Sequence, residues 1–389
     1  MNPTQRNLII GPAYPLRGGI ADFNMMLCKT FRQELNIDSQ IISFSLQYPS
    51  FLFPGESQYQ EGPAPERFPI TSLLNSINPW NWIVSANKIS KHSADYIIVR
   101  HWIPFLAPCL GTVARIVKFR KKTKIIGLID NVIPHEKRPG DYLLTKYFLN
   151  SCDVFVLMSK TSVEDLCKFN IHKPHILLKH PVNNFFGERV SREEALKKLN
   201  LAPGFNYLLF FGIIRPYKGL DLLLETLALP GIREMKIKLI IAGEYYEERS
   251  NYDAMIKKLN IDDLVLDHSG FIPSEKVALY FSAADLSVQT YHSATQSGVT
   301  QIAYSFDLPM LVTDVGGLSE IVLHKKTGYV VDKNPQKISE AIIDYFSKNR
   351  RKEFEPFIQE ERAKNTWKYF AMEVDNEGKR NHNPERNVL

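Results

Sequence analysis

The chain has 389 residues but only four cysteines, Cys28, Cys109, Cys152 and Cys167, and none stands in a Cys-x-x-Cys spacing. That excludes the common zinc frameworks and a disulfide scaffold, and the apolar setting of each thiol points to a reduced compartment. No apolar run approaches the roughly 18 residues expected of a membrane span, and the first residues lead directly into a short strand pattern without an apolar leader. A cytoplasmic chain with no export signal is the expectation. No Asp-x-Asp motif stands out as a divalent-metal site. Basic arms and RNA-binding aromatic motifs are also missing, so no nucleic-acid partner is expected. Charge of one sign is scarce too: 48 Lys and Arg against 42 Asp and Glu leave a net of +6. Two readings of that surplus stand: a solvated, mildly basic surface, or attraction to phosphate ligands and to the acidic inner leaflet of a membrane.

What is present is ample core material, with 44% hydrophobic residues, in a chain long enough to split into two domains. Short apolar runs alternate with helical patterns: Leu8 to Ile10, Tyr96 to Val99, Lys124 to Ile129, Val154 to Met158 and His175 to Lys179 in the first half. In the second half they are Tyr207 to Phe211, Lys238 to Ala242, Leu286 to Gln289, Pro309 to Thr313 and Tyr329 to Val331. Continuous apolar strands separated by helices predict an α/β fold with two buried parallel sheets, doubly wound and facing each other across a cleft. The polar stretch from His180 to Ser191 reads as the linker. Domains are expected over 1–182 and 183–355, with an amphipathic helix over 356–374 and a frayed polar tail over 375–389. From about Phe44 to Pro79, prolines and aromatics exclude regular structure and predict a long packed excursion. It either shapes an acceptor site or covers a sheet edge.

The segment richest in chemistry is Phe210-Phe211-Gly212-Ile213-Ile214-Arg215-Pro216-Tyr217-Lys218-Gly219-Leu220-Asp221. A strand ends in a turn with two cations, and a helix follows with apolar residues at Leu220, Leu223, Leu224 and Leu227. Ligands of open parallel sheets bind at strand carboxyl ends, where the next helix offers free N–H groups and a positive dipole end. Arg215 can fork onto phosphate oxygens, and Lys218 adds a point charge. In the first half, Gly18 and Gly19 precede a helix and leave backbone N–H groups open to a ligand, although a glycine pair also marks a plain tight turn.

These motifs occur in order with Ile241-Ala242-Gly243, Gly270-Phe271-Ile272-Pro273, Ala284-Asp285 with Tyr291, and Pro309 through Asp314-Val315-Gly316-Gly317 to Glu320. The chain resembles the retaining glycosyltransferases of family 4 along its whole length. The resemblance implies two Rossmann-like domains in the GT-B arrangement, with the 356–374 helix crossing back to the first. It implies a nucleotide-sugar donor held mostly by the second domain through Gly270, Phe271, Ile272 and Tyr291, a saccharide or lipid-linked acceptor, and neither cofactor nor metal. Arg215 and Lys218 take the part of the family's basic pair, although the Arg commonly lies nearer Ile213. The family's two glutamates, with seven residues between them, would fall on Ala294 and Ile302, and no Glu lies between Glu275 and Glu320. Gln296, Ser297 and Gln301 are left to bond hydroxyl groups without charge, while the Ser297, Gly298 and Val299 amides can meet phosphate.

On the acceptor side, the strand ending at Ile129 leads to Asp130 and Asn131, where comparable members often carry His. His135 then becomes the candidate cleft imidazole, catalytic or structural. His101 either lines the acceptor side or packs beside Trp102. The reading that follows is a metal-independent retaining glycosyltransferase of surface polysaccharide or glycolipid assembly. Its rivals are a nucleotide-sugar epimerase on the same fold and a scaffolding protein that lost catalysis with its glutamates.

Overall fold

A computed structural model describes residues 5–49, 57–60, 69–134, 136, 138–182, 186–295 and 297–380. The chain divides into two compact units, one of residues 1–179 with 367–389 and the other of residues 180–366.

The first unit runs β1 (Arg6–Ile10), α1 (Gly19–Gln33), β2 (Asp38–Leu46), β3 (Ile70–Asn75), α2 (Pro79–Ile89), β4 (Tyr96–His101), α3 (Ala107–Lys121), β5 (Lys124–Ile129), α4 (Asp141–Leu149), β6 (Val154–Leu157), α5 (Lys160–Cys167) and β7 (His175–Leu177). Its strands form a parallel sheet in the order β3-β2-β1-β4-β5-β6-β7. The central strand β4 is buried over its whole length, as a strand covered on both faces must be. Asn78 caps α2 by accepting from the Asn81 N–H, and Pro79 opens the helix where a missing N–H costs nothing.

The second unit runs α6 (Arg192–Lys198), β8 (Asn206–Phe211), α7 (Leu220–Leu227), α8 (Pro230–Arg233), β9 (Ile237–Gly243), α9 (Arg249–Leu259), β10 (Val265–Ser269), α10 (Ser274–Ala283), β11 (Leu286–Gln289), α11 (Gly298–Ser305), β12 (Met310–Thr313), α12 (Leu318–Ile321), β13 (Gly328–Val331), α13 (Pro335–Ser347) and α14 (Arg351–Lys364). Its parallel sheet has the order β10-β9-β8-β11-β12-β13. The strand order turns back after β10, with β11 pairing beside β8, so the loops after β8 and β11 diverge at a topological switch point, where open α/β sheets bind ligands.

Three strands depart from the sequence expectation. β2, β3 and β10 carry Ser, Thr, Asp and His among their apolar residues because β3 and β10 are edge strands and β2 neighbours one. β3 therefore lies inside the segment expected to lack regular structure. The carboxyl-terminal reading is corrected as well. Pro356 lies within α14 rather than at a helix start, and α14 belongs to the second unit, whose core takes Phe354 and Ile358. The helix of the first unit is α15 (Trp367–Lys379), which continues through residues expected to fray. The polar groups there are bonded: Asp375 accepts from Tyr96 Oη at 2.9 Å, and Lys124 Nζ donates to the carbonyls of Glu377 and Arg380 at 2.5 and 2.6 Å. The division at Lys179 and His180 lies three residues before the expected boundary.

Candidate functional site

In the second unit the loop after β8 is fastened to the loop after β11. The Thr290 hydroxyl donates to the Gly219 carbonyl at 2.6 Å, and the His292 N–H donates to the Tyr217 carbonyl at 2.7 Å. Gly219 has φ +64°, and a methyl group there would come within 1.9 Å of the Thr290 carbonyl oxygen. Only glycine allows that approach and that backbone together. The loop after β12 joins the same edge: a methyl on Gly316 would meet the Ala294 carbonyl at 1.6 Å, and the Thr313 hydroxyl donates to the Tyr291 carbonyl at 2.6 Å.

This bracing carries Lys218 inward. Its side chain is buried, with Nζ 5.6 Å from the centroid of the buried Tyr291 ring. Among the described residues no carboxylate pairs with the ammonium, so loss of solvation, followed by the nearby Arg215 charge, lowers its pKa to about 8. Arg215 is half-buried, its guanidinium 5.2 Å from the Tyr246 ring centroid. A buried cation of this kind is costly unless an anion arrives to pair with it. Tyr291 Oη and Ser297 Oγ stand 3.4 Å apart, and Ser297 caps α11 by accepting from the Val299 N–H at 3.3 Å.

Other residues expected at the donor site frame this edge. A methyl built on Gly270 or Gly298 would meet nothing within 4 Å, so both leave open space for a ligand. Phe271 is exposed and Ile272 half-buried after β10. Gln301 is buried on α11 with Oε1 unpartnered among the described residues. Ala294 and Ile302, the places of the missing glutamates, are both buried, which agrees with apolar packing there. Gln296 lies outside the described residues.

In the first unit, methyls on Gly18 or Gly19 would likewise meet nothing within 4 Å. The excursion expected after Phe44 is tied to the residues just before them: the Arg17 N–H donates to the Gln58 carbonyl at 3.0 Å and the Gln60 N–H to the Pro15 carbonyl at 2.7 Å. Its residues 50–56 and 61–68 lie outside the described residues. Tyr48 accepts from Trp102 Nε1 at 2.9 Å and stacks on Phe105.

Asp130 does not present a free carboxylate. Arg100 Nε and Nη2 grip it at 2.6 and 2.5 Å, with both side chains buried, and the Arg100 guanidinium lies 3.9 Å from the Phe23 centroid. His101 is a core residue, stacked 4.4 Å from Phe148, with neither ring nitrogen bonded among the described residues. Burial lowers its pKa to about 3, so it stays neutral. The ring has no accessible edge for an acceptor, because β4 is covered on both faces. Asn131 is half-buried after Asp130, and His135 lies outside the described residues.

Residues 191–363 match the model of the family described as glycosyl transferases group 1. The second unit is a glycosyl transferases group 1 domain. A D-inositol 3-phosphate glycosyltransferase of Pseudarthrobacter chlorophenolicus is 31% identical over 144 residues, 36% of this chain and 34% of that protein. The chain thus spans about one third of the length of the curated relative it matches. The whole fold is shared with a sucrose-phosphate synthase of Thermosynechococcus elongatus, at TM-score 0.74 and 15% identity over 96% of this chain and 98% of that one. It is also shared with HepE of Anabaena in complex with UDP and glucose, at TM-score 0.73 and 13% identity over 95% and 98%. At these identities the structures establish a fold of the GT-B class.

Within the group 1 domain, sequence reasoning missed the braces Thr290 and His292. His292 Nε2 lies 2.9 Å from Asp221 Oδ1, joining the loop after β11 to α7. The signal was weak, because polar residues after a strand suit any loop. In the first unit it missed Asp22, half-buried in the first turn of α1, whose carboxyl is pushed up to about 7 by burial. Its place, three residues after Gly19, was the available cue.

Proposed function

We propose that this chain is a retaining glycosyltransferase that moves a sugar from a nucleoside diphosphate to a saccharide or lipid-linked acceptor, with surface polysaccharide or glycolipid as the product class. The observation that carries the reading is the buried ammonium of Lys218, unpaired by any described carboxylate and accompanied by Arg215. As the bond between sugar and phosphate breaks, negative charge grows on the departing diphosphate. Cations already fixed at that position stabilise the transition state more than the ground state, and they do so without a metal. The α11 amide at Gly298 adds an N–H donor. UDP is the first nucleotide to test, since the fold neighbour from Anabaena is described with it.

A thermal-shift panel of UDP-, GDP- and ADP-sugars identifies the donor, because a ligand that binds only the native state raises its stability. With that donor, Lys218→Ala should lower kcat by about 100-fold to 1,000-fold. Turnover close to that of the unaltered chain would remove the phosphate role.

A second reading rests on Ala294 and Ile302, which leave the donor sugar without the family's two carboxylates. It makes the chain a nucleotide-sugar-binding partner without transfer activity. Firm nucleotide binding with no transfer to any acceptor supports that reading.

A further inference from the structure

Lys218 stands in a turn that its own charge opposes, because an ammonium deprived of water favours any backbone that returns it to solvent. Its Nζ lies near the end of β8 and the start of α11, since a methyl on Gly212 would meet Nζ at 3.4 Å and Val299 Cγ2 at 3.5 Å. One residue of the loop after β11 grips both flanks of this turn. On the amino side the main-chain N–H of His292 donates to the carbonyl of Tyr217, the residue before Lys218, at 2.7 Å. On the carboxyl side His292 Nε2 donates to Asp221, 2.9 and 3.0 Å from its two oxygens, and Asp221 is in the first turn of α7. That place also sets the carboxylate against the positive end of the helix dipole. Lys333, just after β13, donates from Nζ to the His292 carbonyl at 3.1 Å and so ties the same loop from its other side.

We propose that His292 and Asp221 are positioning residues, whose ion pair clamps the turn from both sides and keeps the Lys218 ammonium out of water until a diphosphate pairs with it. That the awaited anion is a diphosphate rests on the function proposed above, whereas the clamp rests on these contacts alone. Of the bonds that fasten the turn, those from the Thr290 hydroxyl and the His292 main chain end on carbonyls, and only the Asp221–His292 pair joins two ionisable side chains. Its side chains are 39 and 44% exposed, so the pair contributes little to the stability of the unit as a whole. Its effect is local, in setting how far Lys218 can move out of its dry place. The other groups facing it do not supply that hold. Arg215 repels the ammonium, Tyr217 and Tyr291 stand edge to face beside it with centroids 6.2 Å apart, and Tyr252 of α9 lies within reach of the Asp221 charge.

The test is competitive labelling of the full chain with acetic anhydride from about pH 6 to about pH 11, read lysine by lysine by mass spectrometry and without any nucleotide. In the unaltered chain Lys218 should react slowly and titrate near 8. In His292→Ala and in Asp221→Ala the amine regains water, so its titration should move up by about one unit or more and its limiting reactivity at high pH should rise several-fold. Both variants should keep their melting temperature to within about 4 °C. His292→Arg, which keeps a cation against Asp221, should restore the protected Lys218. With UDP as the probe at about pH 7, His292→Ala should bind about fivefold more weakly, because the ammonium is no longer held in place beforehand, and His292→Arg should recover that loss. A Lys218 that titrates at the same pH and reacts at the same rate in His292→Ala overturns the clamp, whatever the chain binds. A large fall in melting temperature that His292→Arg does not repair assigns the pair to folding and overturns it too. A shifted Lys218 in His292→Ala, together with equal diphosphate affinity of Lys218→Met and the unaltered chain, supports the clamp and removes the phosphate role of Lys218.

Discussion

Lys218 and Gly219 are adjacent and do opposite work. The lysine brings a charge into a dry setting, and the glycine lets the backbone pass close enough to Thr290 to hold it there. Gly219→Ala adds a methyl 1.9 Å from the Thr290 carbonyl at a backbone angle that alanine resists, so the loop must shift. We expect a loss of about 1–3 kcal/mol in urea denaturation together with weakened nucleotide binding. At this scale the sequence was informative about charge and poor about burial. Arg215 and Lys218 were legible because they follow a strand that ends in glycine. Of the two readings of His101 the packed one holds, because β4 runs through His101 and is covered on both faces, although the ring stacks on Phe148.

Among the elements, β4, β5 and α1 meet around the Arg100 and Asp130 pair, with Phe23 from α1 against the guanidinium and Trp367 and Phe370 of α15 against Phe23. Asp130 therefore fixes the loop that follows β5. Asp130→Asn leaves a buried guanidinium without its counterion and should cost about 3–5 kcal/mol, read by chemical denaturation. A loss below about 1 kcal/mol would mean that water reaches the pair. Interior strands were legible because they are apolar on both faces. β2, β3 and β10 were not, since strands at or beside a sheet edge need only one apolar face and their serines and threonines resemble loop residues. The end of the chain failed for a related reason: Asp375 and Glu377 look like a solvated tail, yet both are buried, Asp375 bonded to Tyr96 and Glu377 to Arg380.

For the whole molecule, alternation of strand and helix patterns sufficed to foresee two α/β units, and the group 1 match falls on the second. That a last helix returns to the first unit was expected from the family resemblance and not from local pattern, because it depends on contacts with residues far away in sequence. A chain ending at Thr366 loses Trp367, Phe370, Ala371 and Val374 from the first unit's interior. It should melt in two separated transitions and still bind nucleoside diphosphate, whereas a single unchanged transition would mean that α15 adds little. The central claim, that Lys218 receives the diphosphate, is tested most directly by calorimetric titration with the nucleoside diphosphate at about pH 7 and about pH 9.5. Binding an anion favours the charged amine, so complex formation takes up a proton once pH exceeds the free-state value of about 8. Affinity should therefore fall between those two pH values in the unaltered chain, and Lys218→Met should bind weakly at both without that fall. Equal affinity of Lys218→Met and the unaltered chain, or one pH dependence common to both, would contradict the account.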